Sequence, residues 1–462
     1  MGITLPRSLF EQAKRSATKN HPALLSWVHE MKEEHSPLAL YQKAKEAFYG
    51  ERFFWQNPNK TLILAGFGVT EQYLADARED AYLGLKDRLH TLKLKTITNA
   101  TTKQTGPLYF GGFAFDPERE RDREWQSFKN GLFYLPLFMV TKNQESCYLT
   151  INLVIYPDDD YGKVQAVCKQ WDKIRENDVS DTVVPSFINA QELDSEAFLD
   201  AAKEIIHLLK DSYDLQKVVL SRRMGLHFNY RLDSGAILAE MLNTQENSYF
   251  FLLEKGNAMF FGASPEQLLA SDGKELFSSC VAGSAARGET ADEDKKMGQR
   301  LLADAKNLQE HHYVVQFIEE TLKKYSSTLS LSSETTLLKN RDIQHLYLNV
   351  HAVKKEEANM LDIVKDLHPT PALGGLPKQT ALAIIRMKEA SDRGFYGAPI
   401  GFVDSDFEGE FAVAIRSGLI SESVGVLYAG CGIVKDSIPE NELVETRIKF
   451  QPMLRVLGGT KS

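Results

Sequence analysis

The amino-acid sequence predicts an α+β fold, in which strands follow one another in runs separated by long helices. Residues 51–190 contain short apolar or alternating segments such as GERFFW and CYLTINLVIYP, bounded by turn residues such as Asn-Pro and Pro-Asp-Asp-Asp. The connections between these segments are short, which favours antiparallel pairing. Strands grouped in this way, instead of alternating with helices, indicate α+β and not a parallel α/β sheet.

The remaining elements are predicted in chain order. Residues 1–50 have a helical pattern, with an apolar stripe from Leu24 to Met31. Residues 180–195 are the one candidate linker, and a helix begins near Ser195 because Phe198, Ala202, Ile205 and Leu209 recur at helical spacing. Further strands follow from Lys217, one long amphipathic helix spans 291–325, and a last helix begins after Ser437.

Composition narrows the possible partners. The 54 Lys and Arg residues are outnumbered by 63 Asp and Glu, for a net charge of −9, so nucleic acid is not expected. No signal peptide and no run of 18 apolar residues is present, so a cytoplasmic protein without a membrane partner is expected. A monomer is also expected. The four cysteines are far apart, which predicts reduced thiols and no structural zinc; they are Cys147, Cys168, Cys280 and Cys431.

The last helix carries a group of charges that share one face. Glu442, Glu445 and Lys449 are spaced at i, i+3 and i+7. Carboxylates one turn apart can hold a hard cation such as Mg²⁺, which takes few protein ligands. The spacing alone is more typical of a solvated charged face with an ion pair.

Three other positions allow a chemical and a structural interpretation. Lys217 lies in an apolar run, where the neutral amine is favoured and can act as a general base, or it reaches water from a strand edge. Glu266, in a predicted strand-to-helix turn, is either a first-turn helix residue or an acid. Adjacent histidines follow Glu310 and cannot share a helix face, so they exclude a zinc motif and indicate a polar surface beside a buried His312.

Taken in order, these motifs resemble a known family. Residues 195–455 are similar to the chorismate-utilising enzymes, which include isochorismate, salicylate, anthranilate and aminodeoxychorismate synthases. The matching stretches are KVVLSR (217–222), FGASPE (261–266), AGSAARG (282–288), NLQEH (307–311), IQHL (343–346), LHPTPALGGLPK (367–378), RGFYGAPIG (393–401), AIRSGL (414–419), YAGCGIV (428–434) and ELVETRIK (442–449).

The resemblance implies a role for each candidate residue. Lys217 resembles the general base that activates water for attack at C2 of chorismate, and Glu266 the general acid that protonates the departing C4 hydroxyl. The implied Mg²⁺ ligands are Glu310 and Glu445, with Glu442 as a second or water-mediated carboxylate. The implied substrate contacts are Gly283, Ser284, His345, Ala372 and Leu373, together with Arg416, Tyr428, Gly430 and Lys449 around the pyruvyl carboxylate.

Three of these positions favour an isochorismate synthase within the family. Lys217 resembles the water-using members, whereas Ala282 stands where aminodeoxychorismate synthases carry a lysine. Salicylate synthases usually carry threonine near Ala372. The N-terminal stretch GERFFWQNP resembles the longer menaquinone-type enzymes. The alternatives are a siderophore-pathway isochorismate synthase, a salicylate synthase and, from another class, a non-catalytic chorismate-binding protein.

The resemblance also refines the expected fold. It implies one large α+β unit of two layered antiparallel sheets with helices packed outside. Residues 1–190 would complete the sheets, and residues 195–455 would form the chorismate-binding catalytic region of the same unit.

Overall fold

A computed structural model describes residues 2–31, 36–76, 80–144, 146–179 and 183–459. The helices are α1 (Arg7–Ser16), α2 (Pro37–Lys43), α3 (Ala81–Lys95), α4 (Tyr161–Glu176), α5 (Ser195–Asp211), α6 (Ser234–Thr244), α7 (Ala291–Ala303), α8 (Ala305–Tyr325), α9 (Met360–Leu367), α10 (Lys378–Lys388) and α11 (Pro439–Val456).

The strands are β1 (Ala23–Glu30), β2 (Arg52–Gln56), β3 (Leu62–Ala75), β4 (Thr96–Thr98), β5 (Leu108–Phe113), β6 (Gly131–Asn143), β7 (Ser146–Ile155), β8 (Phe187–Glu192), β9 (Lys217–Phe228), β10 (Tyr249–Lys255), β11 (Ala258–Ser264), β12 (Gln267–Asp272), β13 (Glu275–Ala286), β14 (Ser326–Leu331), β15 (Thr336–Lys339), β16 (Ile343–Lys354), β17 (Gly375–Leu376), β18 (Pro399–Asp404), β19 (Gly409–Val413), β20 (Ser417–Ser421) and β21 (Val424–Ile433).

Hydrogen bonds connect these strands into two layers that share β6. One layer runs β8-β9-β21-β20-β11-β10-β2-β3-β6-β7-β1-β4, and the other leaves the opposite end of β6 as β5-β18-β19-β12-β13-β16. Among the described residues, the pairs of this path are antiparallel except for β1 with β4. The two layers face each other, since the rings of Phe53 and Phe110 stack with centroids 4.4 Å apart. The expected layered antiparallel α+β architecture is confirmed.

Alternation along the central strands produces two separate cores. In β2, Phe53 and Trp55 point between the layers, whereas Phe54 points to the outer face. That outer face is covered by helices α1, α2, α4 and α6, which bring residues such as Phe10 and Trp171. Each central strand is therefore buried on both faces and reads as a continuous apolar run.

Strands from both halves of the sequence lie side by side. β2 pairs with β10, and β5 pairs with β18. The expected organisation of residues 1–190 and 195–455 as one structural unit stays a prediction that these pairings support.

Two predicted helices differ in the structure. The apolar stripe from Leu24 to Met31 is not helical, because most of it forms strand β1, which is paired on both sides and buried. The long helix predicted over 291–325 is two helices, because Asp304 caps the second one through the backbone N–H of Asn307. The predicted helices after Ser195 and Ser437 are confirmed.

The cysteines and the membrane prediction are also addressed by the structure. All four cysteines are buried and free, as expected. Within the described ranges, none of the helices is long and apolar enough to cross a membrane.

Candidate active site

One cavity collects most of the residues predicted to carry function. It has a volume of about 140 Å³ and lies where β9, β13, β16 and β21 meet helices α8 and α11. The predicted residues that line it are Glu266, Gly283, Ser284, Glu310, His345, Ala372, Leu373, Arg416, Gly430, Glu442, Glu445 and Lys449. Lys217 lies directly behind this wall, and Tyr428 is one layer further from the cavity.

Lys217 is fully buried at the first position of β9. Its Nζ donates to Glu310 Oε1 of α8 at 2.7 Å. Burial by itself raises the pKa of the Glu310 carboxyl, but the charge and hydrogen bond of Lys217, together with the charges of Lys449 and Lys306, hold that pKa below its usual value. Its side chain packs against Gly432, a residue of the cavity lining, where an added Cβ would lie 2.6 Å from Cε and 3.2 Å from Nζ of the lysine.

Glu266 lies between strands β11 and β12. The predicted strand-to-helix turn is wrong, because the chain continues as a second strand whose pairing to β19 is irregular next to this residue. The carboxyl is 3% exposed. Burial raises its pKa to about 8 despite the nearby cations Lys217 and Arg416. At neutral pH, Glu266 is therefore predominantly protonated and able to donate a proton.

Three carboxylates of α8 and α11 converge on the cavity, and each is paired with a lysine. Glu310 pairs with Lys217, Glu442 with Lys306 at 3.0 Å, and Glu445 with Lys449 at 2.6 Å. In the described part of the chain, no three His, Cys, Asp or Glu side chains form a complete metal cluster. Mg²⁺ needs only one or two carboxylates when substrate oxygens and water complete its shell, so this donor set fits the ion.

A second group of side chains supplies positive charge and hydrogen-bond donors. Arg416 adopts a left-handed backbone conformation, with φ of 51°, and its guanidinium lies 3.3 Å from His345 Nε2. Burial and the charge of Arg416 hold the pKa of His345 well below its usual value, so the ring is neutral. Its Nδ1 lies 2.8 Å from the hydroxyl of Ser284, which a β-bulge next to Gly283 places opposite His345. These groups form a wall suited to a carboxylate-bearing ligand.

Tyr428 does not line the cavity. Its hydroxyl accepts a hydrogen bond from Trp125 Nε1 at 2.8 Å, and its ring stacks on Tyr396 at 5.4 Å. Tyr396 is the tyrosine that lines the cavity, together with Arg416 and Lys449. Tyr396 lies in the stretch RGFYGAPIG that resembles the family, and this position was the sequence signal that could have identified it.

Two further polar side chains of the cavity lining that were not predicted are Lys306 and Asn307, one turn before Glu310. Lys306 pairs with Glu442, and Asn307 accepts a hydrogen bond from the backbone N–H of Ser284. The histidine prediction is also wrong in detail: His311 is buried at 3% exposure, and His312 is exposed. Val314 and Ile318 of α8 are buried, and His311 lies on the same face of the helix because it precedes them by three and seven residues.

Gly432→Ala is expected to lower turnover about tenfold or more, since a misplaced catalytic group loses at least that much. The new methyl group would lie 2.6 Å from Lys217 Cε and 3.1 Å from Glu310 Oε1, so the lysine must move. The measurement is kcat with chorismate as the trial substrate. Gly131→Ala, whose methyl would meet nothing closer than 3.4 Å, is the matched control. Equal kcat values for the two variants would contradict the placement of Lys217.

The fold and this cavity define the class of protein. A sequence profile of chorismate binding enzymes matches residues 9–458, and the chain belongs to this family. The resemblance described from the sequence motifs is thereby confirmed.

Individual relatives are similar over nearly the whole chain. Isochorismate synthase MenF of Bacillus subtilis is 35% identical, over 99% of this chain and 98% of the relative. The salicylate biosynthesis isochorismate synthase of Pseudomonas aeruginosa is 31% identical, over 88% of this chain and 85% of the relative. The solved structure of the menaquinone-specific isochorismate synthase MenF from Escherichia coli has the same fold, with a TM-score of 0.77 at 24% identity over 98% and 99% of the two chains.

Proposed function

We propose that this protein is an isochorismate synthase that converts chorismate to isochorismate. The observation that carries the proposal is a buried lysine, Lys217, behind the wall of a cavity whose lining holds the buried acid Glu266, with a pKa raised to about 8, together with Arg416 and Lys449. A protein that only binds chorismate needs no such acid–base pair. The full-length similarity to isochorismate synthases supports the same conclusion.

The reaction exchanges one hydroxyl group for another. Lys217 acts after it has released the proton that it carries in the ion pair with Glu310, and as the neutral amine it takes a proton from a water molecule whose oxygen forms a bond to C2. The ring double bonds shift, the C4–O bond breaks, and Glu266 gives its proton to the departing hydroxyl, which leaves as water. One water molecule is consumed and one is released, so the substrate and product are isomers.

The walls of the cavity would hold the two carboxylates of chorismate. We assign the pyruvyl carboxylate to Arg416, Lys449 and the Gly430 backbone, with Tyr396 in the place first expected for Tyr428. The guanidinium suits this task because its planar donors match a carboxylate. Gly283, Ser284, His345, Ala372 and Leu373 would contact the ring.

We assign a Mg²⁺ site to Glu310, Glu445 and Glu442. When bound, the ion would neutralise the ring carboxylate and polarise it. Lys217, Lys306 and Lys449 form ion pairs with these carboxylates.

Removal of divalent metal is expected to stop conversion, and Mg²⁺ is expected to restore it. Glu445→Gln should raise the Mg²⁺ concentration for half-maximal rate about tenfold or more, since it removes one of few ligands. The measurement is initial rate against Mg²⁺ concentration. Glu440→Gln, on the first turn of the same helix and outside the cavity lining, is the control. Full activity in the presence of a chelator would contradict the metal site.

Product analysis tests the reaction type. The protein is incubated with chorismate and Mg²⁺, and the products are separated. Isochorismate without pyruvate is expected. Pyruvate with salicylate would identify a salicylate synthase, and binding without turnover would identify a non-catalytic chorismate-binding protein.

We place the enzyme in menaquinone biosynthesis, with a siderophore pathway as the alternative. The similarity to the Bacillus subtilis relative extends over 99% of this chain and so includes its N-terminal half. The expectation of a cytoplasmic monomer with no nucleic-acid or membrane partner stays a prediction from the sequence.

A further inference from the structure

A buried ion pair lies behind the cavity and does not touch it. Glu389, 9% exposed, is the C-cap of α10, and Arg393, 3% exposed, lies four residues later in the segment after the helix. Arg393 Nε donates to Glu389 Oε2 at 2.9 Å. A buried pair costs desolvation unless further hydrogen bonds satisfy both charges, so the remaining partners identify what the pair holds in place.

The two terminal nitrogens of the guanidinium donate hydrogen bonds to two separate segments of the cavity wall. One terminal nitrogen donates to the carbonyl of Leu373 at 2.8 Å, and the other donates to the carbonyl of Val219 at 2.7 Å. Both Leu373 and Val219 line the cavity. Val219 lies two residues after Lys217 in β9 and therefore faces the same side of the sheet.

The partner carboxylate fixes the same strand from a second point. Glu389 Oε1 accepts a hydrogen bond from the backbone N–H of Ser221 at 2.7 Å. The guanidinium also packs over the Phe115 ring, with its central carbon 4.1 Å from the ring centre. Strand β9 is thus bonded at Val219 and Ser221, on either side of Leu220, to one rigid ion pair.

The backbone N–H of Val219 also donates to the carbonyl of Gly374, and β17 pairs with the start of β9. We propose that Arg393 is a positioning residue that braces this junction between the strand carrying Lys217 and the loop carrying Ala372 and Leu373. This inference rests on the proposed function, because it assumes that Lys217 must meet a substrate held by that loop. Only arginine can perform the task at this point. Its planar group presents donors in three fixed directions, whereas a lysine ammonium is a single point charge and cannot reach both carbonyls and Glu389.

Arg393→Lys tests the proposal, with Arg52→Lys as the matched control. Arg52 is 1% exposed, is bonded to both oxygens of Glu254, and donates to the carbonyl of Tyr41, but it lies outside the cavity lining. Each substitution removes a buried guanidinium and its hydrogen bonds, so both should lower the melting temperature by a similar amount. Only Arg393→Lys should lower kcat of the folded enzyme, by about 10- to 100-fold, with a smaller change in KM.

Glu389→Gln provides a second variant in case Arg393→Lys does not fold. The amide keeps one accepting oxygen but loses the charge and the second acceptor for Arg393, so kcat should fall, by a smaller factor than the about 10- to 100-fold expected for Arg393→Lys. The proposal would be overturned if the Arg393→Lys and Arg52→Lys enzymes had equal kcat values per folded protein. If Arg393→Lys does not fold, an unchanged kcat in Glu389→Gln would overturn it. A wild-type protein that does not convert chorismate would instead overturn the proposed function.

Discussion

Lys217→Ala is expected to lower kcat by about 10²–10⁴-fold, the range that a positioned general base contributes. The Lys217 side chain is fully buried, its amine is bonded to Glu310, and both side chains lie beside Gly432 of the cavity wall. Binding of chorismate, measured by titration, should change much less than kcat. The anion contacts at Arg416 and Lys449 remain in the variant.

The substitution also leaves Glu310 without its ion-pair partner, so stability has to be measured alongside activity. Lys95→Ala is the control, because Lys95 pairs with the partly buried Glu71 away from the cavity. A comparable loss of kcat in both variants would assign the effect to folding. Near-normal turnover in Lys217→Ala would exclude the lysine as the base.

Glu266→Gln is expected to cause a loss of similar size, about 10²–10⁴-fold in kcat, because the amide cannot supply a proton. The side chains are nearly the same shape, and the native carboxyl is already neutral at pH 7, so the fold should be little affected. The pH profile provides an independent check. Since the pKa of Glu266 is raised to about 8, the acid is present below that pH and is lost as the pH rises through it.

The wild-type kcat/KM should therefore decline above about pH 8, and the residual activity of Glu266→Gln should lack that decline. Glu410→Gln is the matched control. Its carboxylate also has a raised pKa from burial but lies outside the cavity lining, hydrogen-bonded to Tyr249 and Gln267. The same pH profile in wild type and Glu266→Gln would contradict the role of this acid.

The candidate site was largely predictable because its residues lie in stretches whose order resembles a family. Periodicity placed Glu442, Glu445 and Lys449 on one helix face, but it could not distinguish a metal site from a solvated surface. The resemblance to chorismate-utilising enzymes linked that face to Lys217 and Glu266. The cavity now shows these helices and strands meeting, although the chemical roles stay predictions.

The wrong predictions concern positions at which contacts with residues distant in sequence determine the local structure. Strand β1 looked helical because a strand buried on both faces loses its alternation. His311 and not His312 is buried, since a shift of one residue along a helix turns the side chain by about 100°. Tyr396 replaced Tyr428 at the cavity because the turn after Arg393, with left-handed glycines at Gly394 and Gly397, brings it to the surface of the cavity.

The central claim is that Lys217 and Glu266 add water at C2 and expel the C4 hydroxyl. Oxygen-18 labelling tests it most directly: the enzyme converts chorismate in H₂¹⁸O with Mg²⁺, and mass spectrometry locates the label. The account predicts isochorismate with one ¹⁸O atom, in the hydroxyl at C2. Isochorismate without label would show that the original hydroxyl is retained, and would contradict the base and acid roles assigned to these two residues.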